Sequence, residues 1–201
     1  SAPASGARIY LAARGGFHVE PVFGSASTDT LAMIGPPPVS AGSTLVVRAR
    51  KGGPAVAEPS PSSPALPSAD ETVTLDLVLG PRTDWFTQEG MTSLLTQEWA
   101  VTPRSNRIGL RLDAPVPLAR ADPKAELPSE GTVRGSVQVP HEGQPVLFLA
   151  DHPLTGGYPV IGVVADHHLD LAGQIPIGAR IRFRAVAPFA EIAPRSQGPR
   201  P

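Results

Sequence analysis

Prolines and glycines interrupt this chain so often that it has room for short strands and turns but not for long helices. Its 201 residues include 25 Pro and 20 Gly, and a proline removes the backbone donor that a helix interior needs. Between these interruptions lie short apolar runs, and in several of them apolar and polar residues alternate, as in a strand with one buried face. The pattern predicts a mainly β fold, a barrel or a sandwich, rather than strands alternating with helices.

The clearest strand prediction is residues 71–79, where Val73, Leu75 and Leu77 alternate with mostly polar neighbours. One convincing helix is predicted within residues 84–97, with Thr87 as its N-cap. Further strands are predicted at residues 8–13, 44–50, 99–102, 107–112, 116–120, 132–139, 146–150, 160–165 and 180–186, and a short helix at 167–172.

One segment differs in kind from the rest of the chain. Residues 51–70 contain two adjacent glycines and five prolines, with Ser and Ala between them. Such a composition cannot bury enough apolar surface to offset the entropy of ordering, so we interpret it as a linker. The predicted organisation is a β-rich segment of a first, incomplete domain at 1–50, the linker at 51–70, a β-barrel domain at 71–193 and a disordered tail at 194–201.

Charge and composition exclude several classes of function. The formal net charge of −1 gives no reason to expect nucleic acid or an anionic membrane as a partner. The chain has no cysteine, which excludes disulfides and thiolate metal sites and favours a reducing, cytoplasmic location. No apolar run approaches the roughly 20 residues that span a bilayer. The first residues lack an initiator Met and the pattern of a signal peptide, so we expect a fragment or a processed chain.

The chemistry-bearing residues are most concentrated between the apolar runs 146–150 and 160–165. The connection holds an acid, an imidazole, a hydroxyl, two glycines and a phenol: Asp151, His152, Thr155, Gly156, Gly157 and Tyr158. Glycines let a backbone approach a ligand closely, and successive N–H groups can bind an anion. We therefore predict that this loop lines a site for a small polar or carboxylate-bearing ligand, with a purely structural turn as the alternative.

Asp151 and His152 are the candidates for proton transfer in this loop, because an acid beside an imidazole can tune its pKa. Neighbours on a strand face opposite ways, however, so the two side chains need not touch. Glu130 lies in a turn-rich loop and is a candidate general base or positioning group. The alternative for Glu130 is an ion pair with a nearby arginine.

Candidate ligand-binding residues lie earlier in the chain. Arg104, Asn106 and Arg107 are suited to binding a carboxylate, since a guanidinium can contact both oxygens; the alternative is a solvated hairpin turn. Gln138 projects from the polar side of its predicted strand and can hydrogen-bond an amide substrate, unless that side faces solvent.

A metal site is not predicted. His167 and His168 lie between Asp166 and Asp170, but adjacent histidines on a helix point in different directions. The sequence offers neither a cysteine nor a second histidine pair nearby. Walker A, Rossmann and Gly-x-Ser-x-Gly motifs are also absent, so ATP binding by those devices is not expected.

Several ordered motifs resemble one known family. They are Ser105-Asn106-Arg107-Ile108-Gly109-Leu110-Arg111-Leu112, Glu126-Leu127-Pro128-Ser129-Glu130-Gly131, Gln138-Val139-Pro140, Gly143-Gln144-Pro145, Leu149-Ala150-Asp151 and Thr155-Gly156-Gly157-Tyr158-Pro159. The chain resembles the KipA family, also called allophanate hydrolase subunit 2-like, the 5-oxoprolinase C subunit or the biotin-dependent carboxyltransferase family. The family's amino-terminal Gly-Val-Pro-Pro-Ser-Gly-type motif is absent, and Pro153-Leu154-Thr155 stands where many members carry Gln-Thr-Thr.

The resemblance implies a cyclophilin-like β-barrel in the second half of the chain. It implies one component of a heteromeric, ATP-dependent 5-oxoprolinase that opens 5-oxoproline to glutamate, with KipI-like and LamB/YcsF-like proteins as the partner subunits. ATP would serve the complex and a small amide would be the substrate. The alternatives are the carboxyltransferase component of an allophanate hydrolase or urea carboxylase system, which would need biotin, and a non-catalytic regulatory module that binds the KipI-like partner.

Overall fold

A computed structural model of the chain describes residues 3–30, 32–49 and 65–187. These residues divide into two compact units, one made of residues 3–8 with 65–187 and the other of residues 9–30 with 32–49. Most of the predicted linker, residues 51–64, and the predicted tail, residues 194–201, lie outside the described residues. The predicted domain boundaries therefore stay a prediction.

The described residues form nine strands, all of them in the larger unit. They are β1 (Thr72–Leu79), β2 (Trp99–Val101), β3 (Gly109–Asp113), β4 (Glu130–Gly131), β5 (Ser136–Gln138), β6 (Val146–Phe148), β7 (Thr155–Gly156), β8 (Val160–Val164) and β9 (Arg180–Ala187). Seven of these strands close into a barrel in the order β1-β8-β5-β6-β3-β2-β9, and β4 pairs with β7 in a separate two-stranded ribbon. The predicted mainly β architecture, with a barrel in the second half of the chain, is confirmed.

The barrel is closed by its first and last strands. β1 and β9 run parallel, with Thr72 opposite Arg180 and Asp76 opposite Arg184. The other neighbouring strands in the barrel pair antiparallel. Because the sheet closes on itself, each barrel strand has a hydrogen-bonded neighbour on both sides.

Alternation along the strands fills the barrel interior with apolar side chains. On β1, Val73, Leu75 and Leu77 are buried and face the core, as the sequence pattern predicts. Trp99 and Leu147 are fully buried in the same core. Burying one such large apolar side chain stabilises the fold by about 1.5–3 kcal/mol.

Two helices and two 3₁₀ turns accompany the strands in the described residues. Helix α1 (Gln88–Thr96) begins at Thr87, whose hydroxyl accepts a hydrogen bond from the Gly90 amide, so the predicted N-cap is confirmed. Helix α2 (Leu169–Ala172) follows a 3₁₀ turn at Asp166–His168, and a second 3₁₀ turn, Thr83–Trp85, precedes α1. Within the described ranges, no helix combines the length and apolar character needed to cross a bilayer.

The smaller unit contains less regular structure than the sequence predicts. Its described residues show isolated bridges, such as Phe17 with Val47, and no named strand. Ile9 and Tyr10, in the predicted strand 8–13, are exposed to 72% and 81%. The apolar runs of this segment therefore form isolated bridges rather than extended strands in the described residues, and its β-rich description stays a prediction.

Candidate functional site

The loop that concentrates the candidate residues is a crossover connection on the outside of the barrel. β6 and β8 both pair antiparallel with β5, one on each side, so they run in the same direction. The chain leaving β6 must therefore travel along β5 before it enters β8. We call residues 149–159 the crossover loop. Gln138 on β5 lies on the face opposite to the core residue Val137 and yet is only 6% exposed, because Gly156 and Tyr158 of this loop contact it.

The Gln138 side chain lies beneath the crossover loop and contacts Gly156, a residue of that loop. The Gln138 side-chain amide donates a hydrogen bond of 3.0 Å to the carbonyl of Tyr158. A Cβ on Gly156 would lie only 2.4 Å from Nε2 of Gln138. A side chain at position 156 would therefore force Gln138 or the crossover loop to move. Gln138 points away from the barrel core, as predicted, but the crossover loop and not open solvent covers it.

Glu130 lies close to Gly156 because strand β4 pairs with strand β7. Glu130 is the strand partner of Gly156, and Gly131 is the partner of Thr155. The Glu130 carboxylate accepts from two guanidinium nitrogens of Arg82, with 3.1 Å between Nε of Arg82 and Oε2. This hydrogen bonding raises the pKa of Arg82. The two side chains are about one-third exposed (34% and 35%), so the carboxylate is both fixed in direction and accessible.

Arg82 is a residue that the sequence did not single out. It follows β1 and is separated from Glu130 by 48 positions. The sequence did offer an ion pair with an arginine as the alternative for Glu130, but nothing in the spacing identifies which arginine.

A second cation lies beside Tyr158, at the end of the crossover loop. Arg120 is 9% exposed; its Nη2 donates to the Val139 carbonyl (2.9 Å), and its Nη1 lies 3.2 Å from Nδ1 of His141. The His141 ring packs edge-on against the Tyr158 ring, with 5.4 Å between centroids. Burial lowers the pKa of Arg120, but a guanidinium keeps its charge at any ordinary pH. Positive charge is therefore held next to Tyr158.

The remaining candidates lie at the other end of β5, where β3 begins and β6 ends. Nε of Arg107 and Oδ2 of Asp151 form an ion pair of 2.7 Å between two well exposed side chains. The His152 ring stacks on Phe148 at 6.0 Å, and its Nδ1 lies 2.7 Å from the Pro153 carbonyl.

Asn106 and Arg104 occupy the turn before β3. The Asn106 side-chain oxygen accepts from the amides of Ile108 (2.9 Å) and Gly109 (3.3 Å), so it is used in shaping the turn. Arg104 is exposed in the same turn.

The candidate residues therefore fall into two groups. Glu130, Gln138, Gly156 and Tyr158 come together, and we call them, with Arg82, the Gln138 group. Thr155 is exposed on the ribbon, and an ideal Cβ at Gly157 would lie 3.5 Å from the Leu127 carbonyl oxygen, an ordinary contact. Arg104, Asn106, Arg107 and Asp151 lie near the start of β3 and the end of β6. The His152 ring nitrogen Nδ1 lies 3.5 Å from the hydroxyl of Thr132, two residues after Glu130, so His152 lies between the two groups. The Gln138 group combines an amide, a carboxylate and a guanidinium, which can hold and polarise a small amide.

A separate polar cluster lies on β1, outside the crossover loop. Nε of Arg184 donates to Oδ1 of Asp76 at 2.6 Å, and this hydrogen bond lowers the pKa of Asp76 to about 2 against the opposing effect of burial. His167 and His168 both face the same carboxylate. Burial also lowers the pKa of His168, which favours its neutral form.

Comparison with known proteins agrees with this architecture. The family model for the carboxyltransferase domain, subdomain A and B, matches residues 1–185. The 5-oxoprolinase C subunit of Escherichia coli (strain K12) is 33% identical over 190 residues, which cover 90% of this chain and 57% of the relative. The urea amidolyase of Lachancea kluyveri is 30% identical over 209 residues, covering 89% of this chain and 11% of the relative.

A solved structure shows the same fold. The crystal structure of the urea carboxylase of Kluyveromyces lactis superposes with a TM-score of 0.69 at 23% identity, over 87% of this chain and 17% of that one. The chain spans a little more than half the length of the E. coli relative, at 57%. Since the family model covers both the smaller unit and the barrel, the chain belongs to the family of carboxyltransferase domains built from subdomains A and B.

Proposed function

We propose that this chain is one component of a heteromeric, ATP-dependent amide-hydrolysing complex that opens 5-oxoproline to L-glutamate. The observation that carries the proposal is the 33% identity to the 5-oxoprolinase C subunit of E. coli over 90% of the chain. The Gln138 group supports it independently, because its side chains suit an amide substrate. The proposed partner subunits are a KipI-like protein and a LamB/YcsF-like protein. The lack of cysteine supports the cytoplasmic location that such a complex would have.

In this proposal the Gln138 group forms one wall of the substrate pocket. ATP, bound elsewhere in the complex, would supply the activation of the lactam. The side-chain amide of Gln138 and the main chain at Gly156–Tyr158 would hold the lactam group, and the positive charge of Arg120 would favour negative charge that develops nearby.

Glu130 would orient the water that attacks the lactam carbonyl. Arg82 fixes the direction of this carboxylate through two hydrogen bonds, and general-base groups must be held within reach of the proton they accept. Arg107 and Asp151 pair with each other near the start of β3 and the end of β6, so we keep them as a separate candidate contact surface. His152 contacts Thr132, two residues after Glu130, and therefore lies at the edge of the proposed pocket.

Reconstitution of the complex tests this proposal. The purified KipI-like and LamB/YcsF-like partners, mixed with 5-oxoproline and ATP, are expected to release ADP and glutamate only when this chain is added. Coupled release of both products in the complete mixture, and neither above background without this chain, is the expected result. Equal release with and without the chain would contradict the proposal.

A carboxyltransferase role is the second candidate. The 30% identity to the urea amidolyase of L. kluyveri over 89% of the chain favours it. On this alternative, a biotinylated partner would deliver the carboxyl group, since this sequence contains no Met-Lys pair that could accept biotin. Transfer from carboxybiotin to urea by the reconstituted system, in the absence of 5-oxoproline hydrolysis, would select it. Tight binding of the KipI-like partner with neither activity would instead select the regulatory module.

A further inference from the structure

We propose that Asp76, His167 and His168 form a binding site for one divalent transition-metal ion, with zinc as the preferred ion. We call these three residues the Asp76 cluster. Asp76 lies on β1, on the face opposite to the core residues Leu75 and Leu77, and the histidines lie in the 3₁₀ turn that follows β8. This site is separate from the Gln138 group and does not depend on the proposed function.

The distances between the ligand atoms suit a zinc ion. Nε2 of His167 lies 3.1 Å from Oδ2 of Asp76, and Nδ1 of His168 lies 3.9 Å from the same oxygen. One candidate ligand atom from each of the three residues lies within 4.8 Å of the others. A tetrahedral zinc ion with bonds of about 2.0–2.1 Å holds its ligand atoms about 3.3 Å apart. The spacing of the three ligand atoms therefore suits one ion, provided that His168 frees a nitrogen for it.

The surroundings of Asp76 also fit a metal ligand. Nε of Arg184 binds Oδ1, which leaves Oδ2 turned towards the two imidazoles. A carboxylate that binds a metal is itself commonly held by a hydrogen bond to its other oxygen. The Asp76 side chain is 10% exposed, whereas that of His167 is 64% exposed, so the ion would have one side open to water. Three protein ligands with an open position are typical of an accessible zinc site.

The sequence pattern did not indicate this site because its third ligand is remote. Asp76 and His167 are separated by 91 positions. Adjacent histidines diverge on an α-helix, but in this 3₁₀ turn their rings lie 4.3 Å apart, and both reach one carboxylate. The pairing of β1 with β8 places Leu77 opposite Val164, so the 3₁₀ turn that follows β8 lies next to Asp76.

Two contacts compete with the metal. Nε2 of His167 already makes a 3.1 Å hydrogen bond with Oδ2 of Asp76, which the ion would replace. Nδ1 of His168 accepts a hydrogen bond of 2.9 Å from the Asp76 amide. The lone pair of this nitrogen is therefore already used, in a bond that joins β1 to the turn after β8. Metal binding through His168 requires the Asp76 amide to release Nδ1, or the ring to turn and present its other nitrogen. If the cluster serves only to hold the turn against β1, zinc should neither bind to the folded chain nor raise its melting temperature.

Calorimetric titration of zinc into the untagged, chelator-treated chain tests the site. We expect saturable binding of one ion per chain and a higher melting temperature in zinc, because a ligand that binds only the folded state stabilises it. His167→Ala is expected to weaken zinc binding at least 10-fold while the chain remains folded, since the His167 side chain is largely exposed. His18→Ala is the matched control and should bind zinc as the wild-type chain does.

Cobalt gives a second readout that does not depend on stability. Co²⁺ in this site is expected to produce visible absorption bands in the wild-type chain and in His18→Ala, and to lose them in His167→Ala and Asp76→Asn. No saturable zinc binding, unchanged affinity in His167→Ala, or an equal loss in His18→Ala would each overturn the proposal. These experiments do not measure the activity of the complex. A chain that binds no zinc would therefore leave the proposed function unaffected, and an inactive complex would leave the zinc site unaffected.

Discussion

Gly156→Ala is expected to lower the turnover of 5-oxoproline by the reconstituted complex about 100-fold, the effect that a displacement of about 1 Å within a site can have. The new methyl group would lie 2.4 Å from Nε2 of Gln138, closer than real contacts allow. Gln138 is buried and its amide is bonded to the Tyr158 carbonyl, so either the side chain or the crossover loop must move. Overpacking of this kind costs about 1–3 kcal/mol of stability. Initial rates of glutamate release, with circular dichroism as the measure of folding, check this prediction.

Gly131→Ala is the matched control for this variant. Gly131 lies on the same ribbon, one residue from Glu130, and an added Cβ would meet no heavy atom within 4 Å. We expect its turnover to stay within about 2-fold of the wild-type value, because exposed substitutions without new contacts change little. Equal activity in Gly156→Ala and Gly131→Ala would show that the contact between Gln138 and Gly156 does not matter for the reaction.

Glu130→Gln is expected to reduce turnover by about 100-fold or more, the effect of removing a general base. The substitution keeps the shape of the side chain but removes the charge that accepts hydrogen bonds from Arg82. Because both side chains are about one-third exposed, the loss of stability should stay below about 1 kcal/mol. The measurement is kcat for ADP and glutamate release, together with the affinity for the partner subunits, which should be unchanged.

Glu98→Gln controls for the loss of a carboxylate that pairs with arginine. Glu98 is 32% exposed, close to the exposure of Glu130, and it binds both Arg180 and Arg182 on β9. It lies away from the crossover loop, so its turnover should remain within about 2-fold of wild type. If kcat of the Glu130→Gln complex equals the wild-type value, or falls no more than kcat of the Glu98→Gln complex, Glu130 has no role in the proposed chemistry.

The sequence predicts single elements of the barrel because their signals are local, whereas the barrel itself, rather than a sandwich, is implied by the family resemblance. The alternation in β1 identifies its buried face, and the capping threonine identifies where α1 begins. Both signals come from residues that lie within a few positions of each other. The order of the strands and the parallel pairing of β1 with β9 are not local, and the alternation in the sequence contains no information about them.

The predicted strand 132–139 was wrong over its first half. β5 covers only Ser136–Gln138, and Val133, which alternation in one strand would place on the same face as the core residue Val137, is 55% exposed. Gly135 has a φ of 89°, and the Ser136 amide bonds back to the Val133 carbonyl, so the chain turns there before β5 begins. The prediction at 116–120 fails in a similar way, since Arg120 makes a single bridge with Phe86.

The site could be predicted only in part, for the same physical reason. Gly156 and Tyr158 share one motif and Gln138 lies in another, and the sequence identified all three as candidates. Their partners Arg82 and Arg120 are brought in by the ends of other segments, and no spacing rule connects them. Whether Arg107 and Asp151 lie beside Gln138 or at the far end of β5 depends on the path of the crossover loop, which periodicity does not specify.

The most direct test of the proposed site is a crystal structure of the assembled complex with 5-oxoproline bound. We predict the lactam group within about 3 Å of polar atoms of Gln138 or of the main chain at Gly156–Tyr158, the ordinary hydrogen-bond distance. A bound 5-oxoproline that contacts only the partner subunits, with no atom of this chain within van der Waals contact, would contradict the account.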